Sequence, residues 1–315
     1  MLALWVVALV VGVVGASYGS RRAVTGALAV ADEMGWSKGL IGATLVAIGT
    51  DLPEIANSIS ASLTGHGDLI VGDATGSALT QITLILAILV VAAAKMGNVS
   101  QDTGTELAVA IGALTVVACL GIAWAVSDGE LGRFDGLLLV SFWVSSVLIL
   151  GRWQRETKVV PDGPRLGLGR AVAMLMGWLA VVGAAATLVV RSFVELTDAI
   201  GVPELVASTV VLALGTSLPE LVVDWTAIRR GATALAFGDI FGSSLVDASL
   251  SIGIGPLFRS TEVSGDAVTS VLIVAAGVAL ATYVWRRQRT STQTALQLAT
   301  VYVVCIAALI VWAPG

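Results

Sequence analysis

Ten apolar segments, at about 1–30, 39–63, 69–94, 104–126, 135–151, 170–194, 204–228, 235–257, 266–285 and 293–312, fill most of this 315-residue chain and leave only short connections. A helix needs about 20 apolar residues to cross the hydrocarbon core of a bilayer, and only helices or closed barrels satisfy their own backbone polar groups there. The pattern predicts an all-α polytopic membrane protein with ten transmembrane helices. Composition agrees: 57% of residues are hydrophobic and 12% charged, against about 25% charged in soluble domains. That balance excludes a water-soluble enzyme, a disordered chain and a nucleic-acid binder. Residues 1–20 hold no Lys or Arg, so the first segment lacks the basic region of a secretory signal and is expected to be a retained helix. Cys119 and Cys305 each lie inside an apolar run and read as core residues without a disulfide.

Orientation follows from the basic residues. Arg21 and Arg22 come at the end of the first segment, which places the N-terminus outside by the positive-inside rule. With ten spans the C-terminus is outside too, and 14 of the 17 basic residues then fall on the cytoplasmic side; only Arg133, Arg191 and Arg259 fall outside. The longest connection, about 152–169, is basic, cytoplasmic and too short to fold as a domain. The chain divides into a first repeat over 1–151, this loop, and a second repeat over 170–315.

The acidic residues carry the functional signal. Of 22 carboxylates, seven lie within or at the ends of apolar segments: Asp51, Glu54, Asp73, Glu220, Asp224, Asp239 and Asp247. No Lys or Arg lies deep enough to pair with them. One charge at the bilayer centre costs about 2.5–3.5 kcal/mol even on the lenient insertion scale. The cluster must therefore be protonated, hydrated or bound to cations, and a cation pathway is expected.

These acids sit in an internal repeat. The chain reads A-I-G-T-D-L-P-E at Ala47–Glu54 and A-L-G-T-S-L-P-E at Ala213–Glu220, then G-D-A-T-G-S-A-L-T-Q at Gly72–Gln81 and G-D-I-F-G-S-S-L-V-D at Gly238–Asp247. The offset is 166 residues throughout, and 15 of the 38 pairs from Ala47 to Leu84 are identical. Five spans per repeat, an odd number, turn the two copies over relative to each other. Inverted repeats with interrupted helices that meet at a midplane ion site are a common plan of secondary transporters. Pro53 and Pro219 lack an N–H and clash with the preceding turn, so helices 2 and 7 are expected to break there. Broken ends free backbone carbonyls, expected from Ala47, Thr50, Ala213 and Thr216, as ligands for a hard cation. Glu54 and Glu220 should open the second half-helices and face each other. Ser77 with Gln81, and Ser243 with Asp247, stand four apart and form a polar stripe on each partner helix. Gly76 and Gly242 allow that face to approach its neighbour.

The two motifs resemble the alpha-repeats of the cation/calcium antiporter superfamily, in its prokaryotic sodium/calcium exchanger branch. The likeness covers roughly 50 residues in each repeat, and the ten-helix plan agrees along the chain. It implies that Glu54 and Glu220 are the central ligands. Asp247, Ser77, Ser243, Thr50, Thr216 and the carbonyls of Ala47 and Ala213 would complete the sodium and calcium sites. It also implies alternating access, with several sodium ions moving inward driving one calcium outward and the first helix of each half sliding across the core. A working monomer in the plasma membrane, with no prosthetic group, follows from the same likeness.

Some positions depart from the family pattern. Asp51 stands where Ser is usual, as Ser217 still does; Asp73 and Asp239 replace Asn; Gln81 replaces Asn or Asp. Asp51 and Glu54 share a helix face, so Asp51 is expected to join the site, exchanging a proton during the cycle or altering ion preference. Asp73 and Asp239 have two readings, as site residues or as helix N-caps. Asp224 either lines the entrance or reaches water near its helix end. The rival functions are a proton-driven antiporter for calcium or another divalent ion and, in other classes, a cation channel or an intramembrane metalloprotease. The last is disfavoured because His66 is the only histidine, lies in a loop, and no H-E-x-x-H is present.

Overall fold

The computed structural model describes residues 2–97, 105–154, 167–199, 217–287 and 291–312. Nearly all of them are helical. Helix α1 spans Leu2–Met34 and runs about three turns past Arg22, further than the hydropathy near Val30 suggests. Ser37 caps the next element, its Oγ accepting from the Leu40 N–H at 3.2 Å. That element joins α2 (Lys38–Ile41), a π-helical turn (Gly42–Val46) and α3 (Ala47–Thr50), followed after a break by α4 (Leu52–Thr64). The two halves meet at a 50° bend. The break falls at Asp51, two residues before Pro53, whose ring and missing N–H are the expected cause.

The first half continues with α5 (Gly67–Thr80), a π turn (Gln81–Ile85) and α6 (Leu86–Lys95), then α7 (Thr105–Ala125) and α8 (Arg133–Gln154). The second half holds α9 (Leu168–Ala199), α10 (Leu218–Arg229), α11 (Thr233–Val246), a π turn (Asp247–Ser251), α12 (Ile252–Phe258), α13 (Ala267–Arg287) and α14 (Thr292–Trp312). Among the described residues eight helices are long and apolar enough to cross a membrane, or nine with the bent pair around Asp51 as one span. The tenth expected span, 204–228, is described only over α10. The chain is a multi-pass membrane protein.

Burial separates centre from periphery. The continuous rods Gly67–Lys95 and Thr233–Phe258 are 78% and 83% buried over their most apolar stretches, against 25% for α1 and 22% for α9. The two rods form the core, and α1 and α9 pack together on its flank. Small residues permit the close contacts, as they do generally between membrane helices. A Cβ added at Gly238 would lie 2.0 Å from the Gly39 carbonyl oxygen, and one at Gly242 would lie 2.4 Å from Ala43 Cα. Away from the core, β1 (Glu130–Leu131) pairs antiparallel with β2 (Thr261–Glu262), joining the connections after α7 and α12. Cys119 and Cys305 are free thiols.

The repeat is visible in the backbone. The π turns of the two rods begin at Gln81 and Asp247, which are 166 residues apart, like the sequence motifs. In each, a hydroxyl bonds back to the carbonyl four residues earlier: Thr83 to Leu79 and, at the matched positions, Ser249 to Leu245. Such back-bonds disturb regular helix geometry, and π turns recur at functional sites. Hydropathy predicts neither turn.

Candidate ion-binding site

Glu54 and Glu220 each occupy the first turn of a half-helix that opens with Leu-Pro. The residues before these helices share one backbone shape, φ −84° and ψ 9° at Asp51 and φ −89° and ψ 8° at Ser217. Helix N-termini favour negative charge, so both carboxylates sit where the half-helices best tolerate them. The fold brings one oxygen from each of Asp51, Glu54 and Glu220 within 4.8 Å of one another. All three side chains are buried, and none of their oxygens has a hydrogen-bond partner among the described residues. Asp51 holds the N-cap position without capping, so its carboxylate remains available to the cluster.

The π turns supply the adjoining wall. Gln81 Nε2 donates to Asp247 Oδ2 at 3.0 Å, and Gln81 Oε1 and Asp247 Oδ1 have no partners among the described residues. The buried hydroxyls of Ser217 and Ser251 also have no hydrogen-bond partner among the described residues. Thr50 Oγ1 lies 3.4 Å from Ser243 Oγ and 3.1 Å from the Ala47 carbonyl. That carbonyl also accepts the Asp51 N–H at 3.0 Å, while the single Thr50 hydroxyl proton is shared with the Val46 carbonyl at 3.2 Å. By contrast Pro53 has no N–H to offer the Gly49 carbonyl, an acceptor the sequence reading omitted. Ser77 is buried on α5. Ala213 and Thr216 lie outside the described residues.

Several of these contacts join residues 166 apart. Gln81 bonds to Asp247, and the Ser244 hydroxyl donates to the Ala78 carbonyl at 3.0 Å. Glu54 and Glu220 are matched in the same way and meet in the cluster. At a two-fold interface only residues on the axis touch their own counterparts. The repeat axis therefore runs through the carboxylates.

Three acids lie away from this cluster. Asp73 and Asp239 are not N-caps, because α5 and α11 begin six residues before each, after His66 and Ala232. Asp73 accepts from Asn57 Nδ2 at 2.5 Å. Asp224 is fully buried and does not reach water; its carboxyl faces that of Asp239, which is also fully buried. The sequence reading missed this pair, although placing the repeats in register sets Asp224 opposite Ser58 and Asp239 opposite Asp73. Ser58 Oγ is buried without a partner among the described residues.

A site rich in unpartnered carboxylate, amide and hydroxyl oxygens suits a hard cation such as calcium or sodium. Inverted helical repeats that meet at such a cluster define a cation transporter of the secondary type. The chain belongs to the sodium/calcium exchanger family: the family model described as sodium/calcium exchanger protein matches residues 4–152 and 170–311. The family lies within the cation/calcium antiporter superfamily. The chain is 30% identical over 296 residues to the inner membrane protein YrbG of Escherichia coli K12, covering 89% of this chain and 88% of that one. It is 26% identical over 294 residues to the sodium/calcium exchanger MaX1 of Methanosarcina acetivorans, covering 81% and 83%. Its fold matches a structure of the sodium-calcium exchanger NCX_Mj soaked with sodium and strontium, with a TM-score of 0.79, 23% identity, and 98% and 99% of the two chains covered.

Proposed function

We propose that this protein exchanges sodium for calcium across the plasma membrane by alternating access. The approach of Asp51, Glu54 and Glu220 to within 4.8 Å, buried and without donors among the described residues, carries the reading. Such a group needs positive charge, and a transported cation supplies it in one state of the cycle. Glu54 and Glu220 serve as the central ligands. Asp51, Asp247, Gln81, Thr50, Ser77 and Ser243, together with Thr216 and the carbonyls of Ala47 and Ala213, complete overlapping sites for the two ions. The repeats, 1–151 and 170–315, are joined by the cytoplasmic loop 152–169, and both termini face outward. The peripheral position of α1 and α9 supports their sliding as a pair over the core rods. The working unit is a monomer, and the ions are substrates.

A proton-driven cycle for calcium or another divalent ion is the second reading, favoured by one observation. Asp51 adds to the cluster a carboxylate that its repeat partner Ser217 does not provide.

Calcium-45 uptake into vesicles, driven in turn by a sodium gradient and by a proton gradient, separates the two. Sodium-driven uptake lost in Glu54→Gln and in Glu220→Gln is the expected result. Uptake driven by protons alone would favour the second reading, and full exchange in both variants would overturn the site.

A further inference from the structure

A cavity of about 820 Å³ opens between α1 and α10, and four arginines line it: Arg21 and Arg22 from α1, and Arg229 and Arg230 from the end of α10. Among the described residues no Asp or Glu belongs to its wall. We propose that this cavity binds the phosphate headgroup of an anionic phospholipid from the surrounding leaflet.

Chain length places the arginines at headgroup depth. Pro219, beside the site, precedes Arg229 by ten residues, or about 15 Å of helix, which is half of a hydrocarbon core about 30 Å thick. On α1 the apolar run before Arg21 independently spans about 28 Å.

The second wall argues for a lipid over a soluble anion. Ile88, Leu221, Val222 and Trp225 line the cavity beside the guanidinium groups, and Ile88 and Trp225 are more than a third exposed. An acyl chain fits against such a wall, whereas inorganic phosphate gains nothing from it. Trp225 has the interfacial placement typical of tryptophan in membrane proteins.

Two of the arginines are held in position. Arg230 Nη1 donates to the Arg21 carbonyl at 2.8 Å and to Thr25 Oγ1 at 2.7 Å, while Arg22 Nη2 donates to Tyr18 Oη at 3.0 Å and stacks over its ring. Each guanidinium has five N–H donors, so both keep donors for a phosphate. A headgroup bound here bridges α1 to the half-helix that carries Glu220.

The test measures lipid retention and needs no transport. Protein purified from vesicles of phosphatidylcholine with phosphatidylglycerol is examined by native mass spectrometry. The wild type should retain phosphatidylglycerol, and Arg229→Gln/Arg230→Gln should lower its affinity roughly 30-fold at low ionic strength. Arg21→Gln/Arg22→Gln, from the opposite wall, should do the same and guards against misfolding of the first variant. Arg286→Gln/Arg287→Gln removes equal charge at the end of α13 and should retain the lipid. Equal loss in this third variant, no loss in the first two, or displacement of the lipid by millimolar inorganic phosphate would overturn the proposal.

Discussion

Glu54 and Glu220 have side-chain oxygens aimed at one shared volume, whereas Asp224 and Asp239 face each other and Asp73 faces an amide. This sorting ranks substitutions. Glu54→Gln or Glu220→Gln should lower calcium exchange at least roughly 100-fold, since removing one member of a buried charged assembly typically costs about 3–5 kcal/mol; flux in proteoliposomes reads this, with helical circular dichroism checking the fold. Asp51→Ser restores the residue of the second repeat and should weaken calcium binding about tenfold, measured by calorimetry. Carboxylates bind metal in their deprotonated form, so binding releases protons and affinity must fall as pH falls. Calcium titrations at about pH 6 and about pH 8 should show weaker binding at the lower value. The two glutamates were legible in the sequence because each follows a proline inside an apolar run without a basic partner. The Asp224–Asp239 contact was not, because the residues are on different helices and only packing brings them together.

At the scale of elements, spans are easy to read and their defects are hard. Bilayer thickness imposes a length that hydropathy reports directly, so the helix boundaries fall near those expected. A π turn adds one residue without changing apolar character, so those at Gln81 and Asp247 left no hydropathy signal. Thr83 and Ser249 were the available clue, as hydroxyls able to bond back along the helix at matched positions. The N-cap reading of Asp73 and Asp239 failed for a related reason: α5 and α11 begin well before the Gly-Asp pair, so these acids are interior. Where α11 crosses α2, the Gly238 contact gives a stability prediction. Gly238→Ala places a methyl against the Gly39 carbonyl and should destabilise the protein by about 1–3 kcal/mol, seen as a lower thermal midpoint in detergent.

For the whole molecule, the 166-residue offset makes the two-fold plan legible in the sequence, and contacts between matched residues locate its axis. The relation between flank and core came only from the family resemblance, because nothing in the apolar pattern of α1 says what it packs against. Ser20 Oγ on α1 lies 2.9 Å from Thr226 Oγ1 on α10, which offers a test of relative motion. In a background lacking Cys119 and Cys305, oxidation of Ser20→Cys/Thr226→Cys should stop exchange, and reduction should restore it; undiminished flux from the crosslinked protein would show that α1 need not slide. The bond between Gln81 and Asp247 has a further consequence. Two identical subunits must place the same residue on both sides of their shared axis, amide against amide or acid against acid. Joining both copies in one gene removes that restriction, and each may then mutate independently. The amide-to-acid contact here, like the difference between Asp51 and Ser217 at matched positions, is chemistry that a homodimer of single repeats could not encode.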